Sequence, residues 1–184
     1  MEKKRCCWAE HVEEVYINYH DQEWGVPVHD DHKLFEMLLL ESFQAGLSWI
    51  TILKKRENFK EAFDNFDVHK VATYDENKIQ ELKGNVGIIR NGLKIKAAIK
   101  NAQIFIDIQK EYGSFSNYLW HFTDHNVILG GEEMVTHSPL SDMISKDLYD
   151  RGMRFVGTVI MYSYLQAVGV INDHEKACYL YHKR

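Results

Sequence analysis

Apolar positions along this chain recur at helical spacing far more often than they alternate as in strands. Leu34, Met37, Leu38, Glu41 and Ala45 fall on one face, which predicts a helix starting after Asp30 or Asp31 and ending near Phe43. A second helix is predicted from Ser48 through WITILKKRENFKEAF, and a third over Glu76 to Lys83. In GIIRNGLKIKAAIKNAQIFIDIQKEY a turn at Asn91-Gly92 precedes a long amphipathic helix, and SFSNYLWHF reads as a short one. Residues 123–138 read as loop, with Gly130-Gly131 and His137-Ser138-Pro139. Ser141 then caps SDMISKDLYD, which stops at Gly152. MRFVG connects it to TVIMYSYLQAV, and Asn172-Asp173-His174-Glu175 reads as a capping box that opens a last short helix. VATY and MRFV are candidate brief strands, but no alternation is sustained. The fold class is mainly α.

One position breaks the first stripe. Glu41 stands seven residues after Leu34, on a face that should be buried, where a carboxylate is costly unless its charge is compensated. Taken alone, it reads as a core glutamate paired with a lysine or arginine.

Composition bounds the rest. A chain of 184 residues, 45% apolar and 12% aromatic, can bury a core as one domain or two small lobes. No stretch is long and apolar enough to span a bilayer, and MEKKRCCWAE has no apolar region of the signal-peptide kind. Three cysteines, Cys6, Cys7 and Cys178, make a poor disulfide framework and point to a reducing cytoplasm, with thiols available to metal. The net charge of −5 supplies no global basic field for nucleic acid. Basic residues cluster only locally, in KKR (54–56), LKIKAAIK (93–100), RGMR (151–154) and HKR (182–184), where each reads equally as a solvated helix face.

Two constellations carry candidate chemistry. On a helix, His174-x-x-x-Cys178 would put an imidazole and a thiolate on one face, and Cys6, Cys7 and His20 stand near the other terminus. Two cysteines and two histidines suit tetrahedral zinc, against the alternative of a buried thiol beside a surface histidine. The run LYDRGMRFVGTVIMYSYLQAVG reads as helix, tight glycine connection, helix. The exposed amides where its second helix opens suit a phosphate, although any αα-hairpin is built this way.

These residues together carry a resemblance. YINYHDQEWGVPVHDDHKLFEMLLLESFQAGLSWITILKKRENF, VGIIRNGLKIKAAIKNA and SDMISKDLYDRGMRFVGTVIMYSYLQAVGVINDHEKAC closely resemble the type I 3-methyladenine-DNA glycosylases of the helix-hairpin-helix superfamily. The similarity covers nearly the whole chain and is weakest over 110–138. It implies a single DNA glycosylase domain over 1–184, with the helix-hairpin-helix glycosylase fold. The hairpin-containing lobe would lie within about 31–165, and a zinc site would join the N- and C-terminal segments. It implies zinc ligands Cys6, His20, His174 and Cys178; spacing to Trp8 favours Cys6, and Cys7 stays open. Four protein ligands make such zinc structural.

The resemblance also implies a base pocket of Glu41, Tyr16, Tyr19 and Trp49, with Trp8 and Trp24 as neighbouring aromatics. Flat side chains replace the stacking that a flipped base loses, and a carboxylate suits a base made cationic by N3-methylation. Glu41 would bind and select, and stabilise charge developing in the sugar. Asp173, beside a ligand, would be structural. DNA contact would come from Arg154, Val156, Gly157 and Thr158 through backbone amides, helped by Arg151 and Lys146, with Leu47 or Gln44 plugging the emptied stack. The implied partners are double-stranded DNA containing alkylated bases and the free 3-methyladenine product, in base excision repair; no membrane partner is expected, the cysteines point to the cytoplasm, and with no oligomerisation stripe in the sequence a monomer is expected. Two rival readings are a non-catalytic hairpin module that binds DNA, and a small-molecule hydrolase with a catalytic metal.

Overall fold

The computed structural model describes residues 3–130 and 135–181. The expected loop residues 131–134, Gly131 among them, and the basic run 182–184 lie outside the described residues. The described chain is mainly helical: α1 (Glu14–Gln22), α2 (Asp31–Gln44), α3 (Trp49–Ala62), α4 (Val68–Val71), α5 (Glu76–Gly84), α6 (Gly92–Tyr112), α7 (Phe115–His121), α8 (Pro139–Asp150) and α9 (Thr158–Ala167), with two-residue strands β1 (Ile128–Leu129) and β2 (Ile171–Asn172).

Caps explain most boundaries. Asp30 opens α2 by accepting from the Lys33 amide, and Asn91 opens α6 by accepting from the Leu93 and Lys94 amides. Asp31 has a different task. Its carboxylate accepts from the amides of Phe115 and Ser116 and from Gln109, tying the start of α7 to α2. Helix α8 begins three residues earlier than expected. Ser138 is its cap, Pro139 takes the first turn, and Ser141 is the reciprocal partner in a capping box.

The expected last helix does not form. Asn172 ends β2, and its side-chain oxygen accepts from the His174 amide and pairs with His174 Nδ1, so Asn172-Asp173-His174 is a side-chain-closed turn. The chain then runs through turns to Tyr181. Neither VATY nor MRFV is a strand. Val71 closes α4, and Phe155 sits in the left-handed region at φ 57°, which no strand accommodates. The strands that do form pair in parallel, Ile128 with Ile171 and Leu129 with Asn172. Helix α1 and the single turn of α4 were not foreseen from the pattern: α4 has only four residues, and α1 buries only Tyr19 and His20, too few to mark an apolar stripe.

Helix α2 is the hub, packing against α3, α6, α7 and α9, while α8 packs on α9, and α4 and α5 pack on α6. One contiguous core extends from Cys6 to Leu180. Arg56 on α3 bonds both oxygens of Glu23 at 2.8 Å and Glu36 at 2.7 Å, with Lys33 bridging the same two acids, so this KKR arginine joins α1, α2 and α3. After α9, Gly169 at φ +72° lies against the backbone of Val26 and Pro27. A Cβ there would stand 2.3 Å from the Val26 carbonyl carbon. Gly169→Ala is therefore expected to lose about 3 kcal/mol or more through combined clash and backbone strain, read as a lower urea midpoint with unchanged slope.

Candidate active site

A cleft of about 730 Å³ opens between α1, the end of α2, the start of α3 and the segment after β2. Its walls are largely aromatic. Tyr16 and Tyr19 are three residues apart on α1 and so share a face, and Trp49 is the first residue of α3. Tyr19 and Trp49 lie 5.5 Å apart between ring centroids, Trp8 is 5.0 Å from both Tyr16 and Trp24, and Trp24 is 4.6 Å from His174. All six predicted pocket residues line this one cleft.

Glu41 reaches the cleft from the last turns of α2 and is only 2% exposed. The lysine or arginine partner expected of an ordinary core glutamate is not there: Glu41 Oε2 is buried with no hydrogen-bond partner among the described residues. Burial in these apolar walls pushes its carboxyl up to about 8. Trp49 Nε1 is likewise buried without an acceptor. A lone acceptor and a lone donor thus face the same aromatic space, and leaving each unsatisfied costs about 1–3 kcal/mol. Tyr16 and Tyr19 are held neutral, pushed upward by burial first and by the nearby Glu41 second.

Behind the aromatic wall the termini meet. The ligand atoms of Cys6, His20 and Cys178 all lie within 4.8 Å of one another and are buried, with Cys178 Sγ 3.5 Å from His20 Nε2. The His174 ring stands edge-on to His20 with centroids 5.2 Å apart. Second contacts orient both rings: His20 Nδ1 pairs with Asp21, itself clamped by Arg5, and His174 Nδ1 pairs with Asn172. Amides of Glu175 and Leu180 donate to the two sulfurs at 3.4 and 3.5 Å. Cys7 is exposed and outside this group, its own amide donating to Glu175 instead. Burial pushes the Cys6 thiol far up, the reverse of what a thiolate needs, so a cation among these donors would be the group that offsets it. His174 and Cys178 are brought near by turns rather than by one helical face, as the sequence spacing had suggested.

The connection between α8 and α9 is tight. Gly152 at φ +107° and Phe155 at φ 57° reverse the chain. Asn101 on α6 fixes it by a two-point bond, accepting from the Arg154 amide and donating to the Arg154 carbonyl, both at 2.9 Å. Gly157 is exposed at the start of α9, whereas the Val156 side chain is buried and leaves only its backbone for a partner. Thr158 is bonded to Ser141 and Asp142. Arg154 is exposed and lies over the Tyr149 ring at 4.4 Å, while Arg151 is engaged by Glu111 and Asp147 and Lys146 by Asp150. Leu47 is 38% exposed at the tip of the α2–α3 turn, held by Gln44 donating to its carbonyl.

A sequence model of the methyladenine glycosylases matches residues 8–182. The chain belongs to the methyladenine glycosylase family. It is 44% identical over 182 residues to DNA-3-methyladenine glycosylase 1 of Escherichia coli (strain K12), covering 97% of both chains. It is 40% identical to DNA-3-methyladenine glycosylase of Haemophilus influenzae, covering 95% of this chain and 96% of that one. Among solved structures, 3-methyladenine DNA glycosylase I of Staphylococcus aureus superposes with a TM-score of 0.93 at 37% identity, covering 98% of this chain and 97% of that one. A variant of 3-methyladenine DNA glycosylase I in complex with 3-methyladenine gives 0.91 at 37% identity, covering 95% and 96%.

Within this glycosylase fold, sequence reasoning overlooked two buried polar residues of α6, Lys94 and Asn101. The available signal was the one that exposed Glu41: a polar residue on a helix face otherwise made of Ile95, Ala98, Ala102 and Phe105. Gln166 and Asp173 also line the cleft, and the Asp173 carboxylate accepts from Gln166 at 2.6 Å and from the Tyr162 hydroxyl at 3.1 Å. Gly130 lies against this carboxylate so closely that any Cβ would collide with it, which locks Asp173 into the local packing.

Proposed function

We infer that this chain is a DNA-3-methyladenine glycosylase, hydrolysing the N-glycosidic bond of the alkylated purine as the first step of base excision repair. One observation carries the reading at the level of residues: the unpaired Glu41 carboxyl and Trp49 N–H, buried in an aromatic cleft of a methyladenine glycosylase. A hairpin module that only grips the DNA backbone has no use for an uncompensated buried acid in an aromatic cleft.

The extruded base enters the cleft and stacks on the aromatic side chains, recovering part of what it lost on leaving the duplex. N3-methylation within DNA makes the base cationic, and Glu41 as carboxylate accepts from its exocyclic amine and offsets the positive charge of the ring. Ordinary adenine offers the same amine without the positive charge, so it offsets less of the cost of a buried carboxylate. The bond from C1′ to the base then breaks with its electron pair going to the base, which leaves neutral. Water adds to C1′ and gives up a proton. Glu41 stabilises the positive charge on the sugar as it develops.

The α8–α9 connection would hold a DNA phosphate through the first amides of α9 and Arg154, and Leu47 would fill the vacated stack. Cys6, His20, His174 and Cys178 would hold zinc, which supplies folding energy by joining the two termini and takes no part in hydrolysis. A cytoplasmic monomer organised as a single glycosylase domain is the reading of the sequence alone.

Incubating N-methylated duplex DNA with the protein is expected to release free 3-methyladenine, measured by chromatography, well above the spontaneous rate. Release at the spontaneous rate would refute the assignment.

A further inference from the structure

Lys94 and Asn101 lie seven residues apart on α6, two turns along one face, and both side chains are buried. Neither lines the base cleft. Asn101 holds the α8–α9 connection at Arg154. Lys94 Nζ donates to the carbonyls of Phe43 at 2.8 Å and Ala45 at 2.6 Å, the end of α2 and the start of its turn into α3. Its ammonium also faces the ring of Phe155, 5.8 Å from the centroid, in the α8–α9 connection.

Burying an ammonium is costly, and a helix end can be closed without one. The turn after α2 already carries Gly46 at φ +79°, so a lysine is not needed merely to end the helix. Nor is Lys94 the counterion of Glu41, whose upward shift has burial as its cause. What distinguishes Lys94 is its position between two segments. One is Ala45-Gly46-Leu47, between Glu41 and Trp49; the other is the Arg151–Gly157 connection. A cation at the C-terminal carbonyls of α2 also has a favourable interaction with that helix end.

We propose that Lys94 is a positioning residue which, with Asn101, makes α6 a strut setting the distance between the α2–α3 turn and the α8–α9 connection. The strand gripped at the connection is thereby placed so that its extruded base reaches Glu41 and its gap reaches Leu47. This rests on the glycosylase reading above. Misplacement of about 1 Å far from the chemistry can cost roughly 100-fold in rate, so a joint of this kind acts on turnover without touching the base.

The test compares wild type, Lys94→Met and Lys94→Arg on methylated duplex DNA, with free 3-methyladenine binding followed by tryptophan fluorescence. Lys94→Met is expected to lower kcat roughly 10- to 100-fold, with KM for DNA and affinity for the free base each within about threefold of wild type. Lys94→Arg, which still donates to both carbonyls, should recover most of the rate. Unchanged kcat in Lys94→Met, or loss of free-base binding in parallel with kcat, would overturn the proposal. Should Lys94→Met fail to fold, Lys94→Gln, a neutral donor to one carbonyl, carries the same comparison. Wild type without activity refutes the glycosylase reading instead, and is seen in its own arm.

Discussion

Glu41→Gln is expected to slow release of 3-methyladenine from duplex DNA by roughly 100-fold while making the folded chain more stable. A hydrogen bond to a charged partner contributes about 1.5–3 kcal/mol, and the amide keeps the shape of the side chain while losing the charge that the cationic base requires. The stability effect follows from linkage. With its carboxyl at about 8 in the fold against an ordinary 4.5, Glu41 binds its proton more tightly folded than unfolded. That stabilising contribution is complete below about 4.5 and is lost as pH rises through about 8. Glutamine has no proton to lose, so the variant's advantage in thermal melting should grow between those values and level off above. The same ionisation governs catalysis: kcat/KM, which reports the free enzyme, should climb with pH up to about 8 in wild type and lose that limb in Glu41→Gln. A variant as active as wild type, or less stable at pH 8, would remove Glu41 from the mechanism described here.

Cys178→Ser is expected to purify without zinc and to melt about 6–20 °C below wild type, since roughly 3–5 kcal/mol of stability corresponds to such a shift in a domain of this size. Elemental analysis of wild type prepared without chelator should find one zinc per chain. Cys7→Ser should keep its zinc, because Cys7 is exposed and outside the cluster that holds Cys6, His20 and Cys178. Metal in this cluster would close a loop running through almost the whole described chain, and the contacts around it already hold its two ends together: Tyr179 donates to the Lys4 carbonyl and Glu175 to the Cys6 sulfur. Wild type without zinc, or zinc retained in Cys178→Ser, would show that these thiols pack as ordinary core groups.

Both effects began as anomalies legible in the sequence, yet of different kinds. Glu41 was visible because a carboxylate interrupts an apolar stripe, a local pattern that needs no knowledge of the fold. The helices α2, α3, α5 and α6 were legible for the same reason, since period and caps act within a few residues. The last predicted helix failed where a local signal had two outcomes. Asparagine at 172 serves a helix cap or a closed turn equally well, and pairing of Asn172 with Leu129 in the short parallel ladder selected the turn.

By itself, then, the sequence determined a mainly helical chain, the acid out of place in its apolar stripe, the aromatic residues for a pocket and a donor set suited to zinc. Only the tertiary structure decided that Glu41 has no cationic partner among the described residues, that Cys6 rather than Cys7 faces His20, and that Lys94 lies between the α2–α3 turn and the α8–α9 connection. Periodicity and capping depend on neighbours along the chain. Whether a buried charge is paired depends on residues far along the chain, as Lys94 finds its Phe43 carbonyl 51 positions away, and only folding brings those together.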